Sequence, residues 1–207
     1  DGIDAVTAGG IVHVASGTYN EQIIINKSLI LQGLPNAPSK PVVKAPDTVN
    51  KYKIPESSSW WEPIIFAFGG SVDGSGNVTS SVTVGVNIDG LIIDGNNRVP
   101  SSGIRASGIL FRNIKDISYS KISNNVVRNM YVDGRETFGI TAYGDSLVEI
   151  KGNEVSGYAR CGIGANGDSV TSASSSPTPN VLIYDNKVIG PGMGVPVTWA
   201  PNGIQIG

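Results

Sequence analysis

The side chains best suited to chemistry in this sequence lie in two short polar loops. One loop covers 131–136, with the sequence Tyr-Val-Asp-Gly-Arg-Glu, and the other covers 158–160, with the sequence Tyr-Ala-Arg. Asp133 and Glu136 are a candidate pair of catalytic acid and base, and Arg135 or Arg160 could clamp a carboxylate or act on an acidified sugar carbon. The same residues also fit a binding loop without catalysis, or a solvated loop with local ion pairs.

Aromatic residues stand close to these charges along the chain. The carbohydrate-binding candidates are Tyr131, Tyr143, Tyr158 and Trp199. An aromatic ring can stack on a sugar face while a neighbouring arginine binds the carboxylate of a uronic acid. The sequence therefore predicts an acidic polysaccharide as a ligand, if this surface is used.

The remaining reactive residue types give weaker signals. His13, the only histidine, alternates with two valines and is expected to face solvent, whereas Cys161 precedes a Gly-Ile step and is expected to be a buried spacer. The sequence holds no dense acidic cluster, so no metal or other cofactor is predicted. Calcium would bind only if folding gathered distant carboxylates.

Charge and hydropathy exclude two classes of partner. The 207 residues carry a formal net charge of −2, which gives no basic surface for nucleic acid. No apolar run approaches the roughly 20 residues of a membrane span, so membrane insertion is not expected. Two glycosylation sequons, at Asn26 and Asn77, are compatible with export, and we expect a secreted or cell-surface protein.

The elements that must position these loops are repeated along the chain. Ile88, Ile122, Ile150 and Ile183 begin four related segments at intervals of 34, 28 and 33 residues, which is the range of stacked supersecondary repeats. Three positions later stand Leu91, Asn125, Asn153 and Asn186, and two further on stand Ile93, Val127, Val155 and Val188. A second series of Gly-Ile steps alternates with the first, with its isoleucines at Ile109, Ile140, Ile163 and Ile204.

Stacking of such repeats predicts three inward aliphatic columns and an asparagine ladder. Short runs rich in Val and Ile, bounded by Gly, Asn and Ser, are typical of strands, and a single coil of this length cannot bury its own inner face. Asn125, Asn153 and Asn186 fall at a bend, where we expect left-handed backbone angles and coil-to-coil hydrogen bonds. Only the segment from Ile3 to Ala8 could form a helical turn. The predicted fold is all-β: a right-handed, single-stranded parallel β-helix, or solenoid.

Alternation along the Gly-Ile strands also predicts an outer face beside the polar loops. Ile140 and Ala142 would point inward, and Thr141 and Tyr143 outward. The same count places five further residues on the outer face: Leu110, Arg112, Gly164, Asn166 and Gln205.

We predict one domain, 1–207, with insertions near 35–62, 69–81 and 171–180. These passages are rich in Pro, Ser, Gly or Thr and are expected to be loops on the repeating frame. Trp60 and Trp61, in the first, are expected to pack against the side of the solenoid.

The segment 9–33 resembles the first coils of the pectin-lyase-like superfamily of parallel β-helix proteins. It reads GGIVHVASGTYNEQIIINKSLILQG, and the later Gly-Ile and Ile-x-x-Asn-x-Val steps look like repeats of the same superfamily. The resemblance implies a site on the outer face of one sheet, between protruding loops. The superfamily includes lyases, hydrolases, esterases, adhesins and structural shafts, so the fold alone does not choose among them.

Few catalytic residues of these enzymes can be carried over. Gly17-x-Tyr19-x-Glu21 matches the first motif of pectin methylesterases, but their later motifs have no counterpart here. Polygalacturonases would show Gly-His-Gly, which His13 does not supply. We therefore expect a structural module of the cell exterior, associated with polysaccharide, and the alternative is a polysaccharide lyase or carbohydrate esterase acting on acidic glycans.

The last residues, 201–207, begin another Gly-Ile step. A solenoid that stops within a coil would expose strand edges and aliphatic side chains. We expect either a segment of a longer protein or a subunit that stacks on copies of itself.

Overall fold

A computed structural model of the chain describes residues 2–55, 57, 59–79, 82–115, 120–167, 180–192, 195, 197–198 and 200–207. Its described part contains one short helix, α1 (Gly2–Ala5), and nineteen strands. Eighteen of the strands form three sheets, which we call sheets 1, 2 and 3, and all strand pairs along these sheets are parallel.

The bounds of the strands follow the order of the sheets. Sheet 1 contains β1 (Ile11–Val14), β4 (Leu29–Gly33), β8 (Val86–Asp89), β11 (Ser120–Ser123), β14 (Leu147–Lys151) and β17 (Asn180–Tyr184). Sheet 2 contains β2 (Thr18–Asn20), β5 (Val42–Lys44), β9 (Ile92–Asp94), β12 (Val126–Arg128), β15 (Glu154–Ser156) and β18 (Lys187–Ile189). Sheet 3 contains β3 (Ile23–Ile25), β7 (Trp60–Phe68), β10 (Arg105–Arg112), β13 (Thr137–Tyr143), β16 (Cys161–Asn166) and β19 (Asn202–Ile206). The remaining strand, β6 (Tyr52–Lys53), pairs antiparallel with β7.

The chain contributes one strand to sheet 1, then one to sheet 2 and then one to sheet 3, and it completes six such circuits. Each circuit forms one coil, from β1-β2-β3 in coil 1 to β17-β18-β19 in coil 6. The predicted parallel β-helix is therefore confirmed. The helical turn expected near the start is α1, whose Ile3 packs against the interior together with Val6.

The three predicted aliphatic columns are confirmed by the strand registers. Ile88, Ile122, Ile150 and Ile183 are aligned in sheet 1, and Ile93, Val127, Val155 and Val188 in sheet 2. Ile109, Ile140, Ile163 and Ile204 are aligned in sheet 3. Because like side chains stack on like, each inner coil contributes the same kind of apolar surface to one continuous core.

The asparagine ladder is also confirmed, at the bend between sheets 1 and 2. The side-chain Oδ1 of Asn153 accepts hydrogen bonds from the backbone N–H and the side-chain amide of Asn125, at 3.0 and 3.1 Å. Asn186 accepts the equivalent pair from Asn153, at 3.0 and 2.9 Å. Leu91 ends the ladder, since its N–H donates to Oδ1 of Asn125 at 3.0 Å.

The expected left-handed angles at these asparagines are wrong by one residue. The residues with positive φ are those just before the ladder: Gly90 (71°), Asn124 (56°), Gly152 (62°) and Asp185 (54°). The tight bend is made one position earlier, which leaves the ladder residue free to turn its amide inward along the stack.

The glycines of the Gly-Ile steps lie within the strands of sheet 3 and are explained by close packing against sheet 2 and against the next coil. A Cβ atom at Gly139 would lie 2.3 Å from Cγ1 of Val155 and 2.5 Å from the carbonyl oxygen of Gly162. Gly108 and Gly162 are similarly crowded, by Val127 and Val188. Only glycine lets the sheet 2 valine and the backbone of the next coil approach so closely.

The predicted insertions need one adjustment. The interval 35–62 includes β5, a regular strand of sheet 2, and the start of β7. The departure from the coil is therefore confined to 45–59. Residues 69–79 lie between two coils, after β7 and before β8. Residues 80–81 and 171–179 fall outside the described residues, and Asn180 begins β17.

Candidate functional site

The described polar loops before β13 and β16 lie next to each other because coils 4 and 5 stack in register. Phe138 pairs with Cys161, and the N–H of Arg160 donates to the carbonyl of Thr137 at 2.9 Å. On the other side, Ala106 pairs with Thr137, which puts Arg105 beside Glu136. Three charged side chains from coils 3, 4 and 5 therefore converge on one corner of the β-helix.

Glu136 is held between two arginines at this corner. One carboxylate oxygen accepts from Nε of Arg105 at 2.7 Å, and the other lies 3.6 Å from Nε of Arg160. The Arg105 guanidinium also lies over the rings of Trp61, at 5.5 Å, and Phe138, at 5.9 Å. Both oxygens of Glu136 face arginine side chains, so this carboxylate is a poor candidate for a general base that must contact a substrate.

Asp133 is engaged elsewhere. Its Oδ1 accepts from both the N–H and the hydroxyl of Thr198, at 3.1 and 3.0 Å. Tyr131 has a raised pKa because of desolvation first and the negative charge of Asp133 second. The predicted pair of Asp133 and Glu136 thus consists of two carboxylates with separate partners, one fixing a loop and one balancing two arginines.

Two of the four aromatic candidates are buried. Tyr158 is 1% exposed and belongs to the interior core, at the corner position that Met130 occupies in the preceding coil. Tyr143 is 6% exposed and meets Trp61 edge to face, with ring centroids 5.5 Å apart. Burial is the main cause of the raised pKa of both tyrosines. Neither ring presents a face to a sugar, which corrects their prediction as binding residues.

The other two aromatic candidates have different positions. Tyr131 is partly exposed and lies next to Asp133. Trp199 lies outside the described residues. The aromatic contribution to a binding surface therefore rests on Tyr131 within the described part of the chain.

The outer face of sheet 3 is covered where alternation predicted a free surface. Thr141 and Tyr143 do point away from the interior, but the face that they share carries a second apolar cluster, which we call the outer layer. Its buried members are Ile54, Trp61, Phe66, Phe68, Val78, Leu110, Phe138, Tyr143 and Cys161. Ile54 comes from the 45–59 insertion and Val78 from the loop after β7, so these two segments fold back over the sheet.

The polar residues predicted on this face follow the same trend. Arg112 is 3% exposed and donates to the carbonyl of Gly69 at 3.0 Å. Thr141 is fully buried, and its hydroxyl has no hydrogen-bond partner. Asn166 and Gln205, in coils 5 and 6, are only partly buried. The face is therefore closed over coils 2 to 4 and more polar towards coil 6.

Cys161 is buried, as expected, and its thiol lies 3.2 Å from the carbonyl oxygen of Ile163. Burial raises the pKa of Cys161 to about 11. A thiol that stays protonated at neutral pH is a poor nucleophile. Cys161 therefore contributes to packing.

Arg135 is the charged candidate with the least engaged side chain. It lines a cleft of about 220 Å³ together with Gly103, Ile104, Gly134 and Glu136. Its Nε is buried and has no hydrogen-bond partner. Gly103 and Gly134, which have φ of 71° and 69°, form equivalent tight turns in neighbouring coils and leave the space between them open.

Sequence reasoning missed Arg105 and the cleft. Arg105 stands just before Ala106, and Glu136 stands just before Thr137. Because the strand register aligns Ala106 with Thr137, it also brings Arg105 next to Glu136. Finding it required the alignment of coils 3 and 4, because the two residues are 31 positions apart in the chain. The cleft depends on two stacked turns and has no signature within either loop alone.

A second cavity, of about 440 Å³, lies at the other end of the molecule, between α1 and coil 1. It is lined mainly by apolar residues that line the inner columns of coils 1 and 2, including Val12, Val14, Ile23 and Leu31. His13, which is exposed as predicted, stands at its edge. This cavity is the mouth of the interior, which α1 covers only in part.

The described part of the chain has no group of three or more His, Cys, Asp or Glu side chains arranged to hold a metal ion. Within the same residues, no helix has the length and apolar character needed to cross a membrane. Comparisons with protein-family models, with curated proteins and with solved structures find no match to this chain.

Proposed function

We propose that this chain is a structural β-helix module that is secreted or displayed at the cell surface. The observation that carries the proposal is the covered outer face of sheet 3. Over coils 2 to 4, the surface between the protruding loops is filled by the chain's own aromatic and aliphatic side chains. A filled face stabilises the coils and leaves no open groove there for a polysaccharide chain.

The partners of the two candidate carboxylates support the same proposal. Glu136 balances Arg105 and Arg160, and Asp133 fixes the backbone of Thr198. A lyase needs a free base and a glycosidase needs a carboxylic acid with a free carboxylate opposite it. The competing proposal of a polysaccharide lyase or carbohydrate esterase therefore lacks a disengaged carboxylate among the described candidates, and Arg135 is the candidate that remains to be tested.

Membership of the pectin-lyase-like superfamily is part of this proposal. It is supported by the motif in 9–33 and by three parallel sheets that repeat in a fixed order. Export is supported by the first sequon, because its Asn26 is exposed and accessible to a glycosyltransferase.

Incubation with a panel of acidic polysaccharides, with and without calcium, tests the proposal. We expect no turnover, measured as the ultraviolet absorbance of an unsaturated product and as released ester groups. Turnover that Arg135→Ala or Arg160→Ala abolishes would establish the enzyme and overturn the structural function. A variant remote from the loops, Lys187→Ala, is the matched control, since its contact with Glu154 is exposed.

End-to-end self-association is a second proposal, supported by the exposure of coil 6. Ile204 is 51% exposed, whereas Ile109, Ile140 and Ile163 of the same column are fully buried. Ile206, which is aligned with Ala165, is 76% exposed. β17, β18 and β19 are also the outermost described strands at this end of sheets 1, 2 and 3. A second coil stacked there would bury these groups, and a heterologous contact of this kind propagates into a filament.

Light scattering over a wide concentration range tests self-association. We expect the mean mass to rise with concentration, and Ile206→Lys to reduce the rise because a charge on an edge strand opposes pairing. A strictly monomeric wild-type protein would contradict the proposal.

A further inference from the structure

We propose that the cleft beside Arg135 is a binding site for a carboxylate group on a ligand of about the size of one sugar ring. This inference goes beyond the structural function and does not depend on it. The cleft lies at the corner before sheet 3, outside the covered face, between the turn that contains Gly103 and the turn that contains Gly134.

Arg135 has hydrogen-bonding capacity that the described residues do not satisfy. Its Nε is buried without a partner, and none of the ion pairs formed among the described residues includes its guanidinium. The Nε itself is closed to solvent, so a ligand in the cleft would bind through the two Nη groups of the guanidinium. A guanidinium presents its N–H groups as a planar fork that can bind the oxygens of a carboxylate.

The local balance of charge also favours an anion. Arg105, Arg135 and Arg160 lie at this corner, and Glu136 pairs with Arg105 and Arg160 but not with Arg135. The neighbouring carboxylate of Asp133 accepts from Thr198, so three guanidinium groups face two carboxylates. The side chains of Arg105 and Arg160 are 26% and 36% exposed, so both can contribute to the potential that a ligand meets. The corner is therefore locally positive in a chain whose net charge is −2, and it attracts anions.

The size and lining of the cleft suit a small polar ring. A volume of about 220 Å³ lies below the roughly 300–1,000 Å³ of sites for drug-sized ligands, which limits the ligand to about one ring. Ile104 supplies an apolar surface, and Glu136 supplies carboxylate oxygens that can accept from a hydroxyl group. Arg135 would bind the carboxylate of the ligand, while Ile104 and Glu136 would contact its ring.

Titration calorimetry of the purified chain with glucuronate, lactate, glucose and sulfate tests this site. We expect millimolar binding of glucuronate that weakens with added salt, and no binding of glucose, because the carboxylate carries the interaction. Weaker binding of lactate would show that the ring contributes, and equal binding would assign the affinity to the carboxylate alone. Sulfate that binds as well as glucuronate would overturn the assignment to a carboxylate.

Substitutions at Arg135 locate the binding. Arg135→Ala should weaken glucuronate about tenfold or more, as expected for the loss of charge-assisted hydrogen bonds, and Arg135→Lys should recover part of the loss. The matched control is Arg128→Ala, in the same coil, because Arg128 pairs with Asp94 away from the cleft. Circular dichroism and thermal unfolding would check that the variants are folded. Absence of binding by the wild-type chain at tens of millimolar, or equal binding by folded Arg135→Ala, would overturn the proposal.

Discussion

The interior of the β-helix and the outer layer on sheet 3 are both buried and apolar, yet they are built in different ways. The interior consists of aliphatic columns to which the coils contribute equivalent residues. The outer layer consists largely of aromatic side chains, such as Trp61, Phe66 and Phe138, and draws on two segments outside the repeat. The difference shows that a repeating frame can be closed on one side by packing that does not repeat.

The interior and the outer layer contribute differently to the stability of the β-helix. Contacts in the interior connect each coil to its immediate neighbours, so stability there is close to a sum of local terms. Contacts in the outer layer connect coils 2 to 5 with the 45–59 insertion, at ring distances of about 5 Å. We expect the outer layer to join several coils into one cooperative unit.

The largest expected effect is that of Trp61→Ala, which tests the outer layer directly. Trp61 is fully buried, contacts Phe138 and Tyr143, and donates to Oγ of Ser57 at 3.2 Å. Removing the ring should lower the free energy of unfolding by about 4 kcal/mol, as for other buried aromatic residues. Urea unfolding followed by circular dichroism measures this change.

Trp60→Ala is the matched control for Trp61. Trp60 is the adjacent residue, is partly exposed, and has Lys51 over its ring at 5.1 Å. We expect a loss of about 1 kcal/mol or less, in line with a single exposed cation-π contact. If the two variants lost equal stability, the outer layer would be a surface covering that contributes little.

The second prediction concerns the interior, through the asparagine ladder. Asn153→Ala would leave the N–H of Asn125 and the carbonyl of Ile122 without the side chain that they contact at 3.0 and 2.9 Å. With two buried groups unsatisfied, we expect a loss of about 3 kcal/mol in the free energy of unfolding. Asn186→Ala should cost about 1 kcal/mol, because Asn186 is less buried and water can replace it. If the ladder contributed nothing to stability, Asn153→Ala and Asn186→Ala would lower the free energy of unfolding by equal amounts.

The third prediction tests the close packing of a sheet 3 glycine against sheet 2 and the next coil. Gly139→Ala would place a methyl group against Val155 and against the carbonyl of Gly162, and overpacking of this kind costs about 2 kcal/mol. Gly203→Ala, at the equivalent position of coil 6, is the control, since its nearest neighbour would be Cγ1 of Val188 at 3.9 Å. We expect its effect on the free energy of unfolding, measured by urea unfolding, to be within about 0.5 kcal/mol. Equal losses would mean that the glycines are required for a reason other than space.

The same contrast explains what could be predicted from the sequence. Ile88, Ile122 and Ile150 recur at near-constant intervals, so their alignment follows once strands are assumed to stack. Asn125 and Asn153 belong to that repeat, and their hydrogen bonds were predictable for the same reason. The interior contacts can be predicted from the sequence because equivalent residues of successive coils stack on each other.

The outer layer and the candidate site were less predictable, because they depend on contacts between unlike segments. Alternation correctly turned Tyr143 outward, but nothing in its own coil indicates that Trp61 covers it. Tyr158 lies at a corner, where the alternation of strands no longer applies, and its ring turns into the core. The pairing of Arg105 with Glu136 required the register of two coils.

The smallest predicted effect is on the pH dependence of stability. It concerns Asp94, which precedes a turn and lies outside both apolar regions. Asp94 ends β9, is 8% exposed, and accepts from Nε of Arg128 at 2.9 Å and from the amide of Asn129 at 3.0 Å. Burial raises the pKa of Asp94, but the hydrogen bonds of Asn129, of the Asn96 N–H and of Arg128, with the charge of Arg128, outweigh burial and lower it below its ordinary value of 3.8.

A lowered pKa in the folded state fixes the sign of the pH dependence. The contribution of ionised Asp94 to stability is fully present above its ordinary pKa and is lost as the pH falls through the lowered value. Urea unfolding at pH 6 and pH 3 should therefore show a smaller acid-induced loss for Asp94→Asn than for the wild-type chain. Because the interior columns consist of aliphatic side chains, the same pH change should leave the difference between Asn153→Ala and Asn186→Ala unaltered. An equal acid-induced loss in Asp94→Asn and the wild-type chain would place the pH sensitivity in other carboxylates.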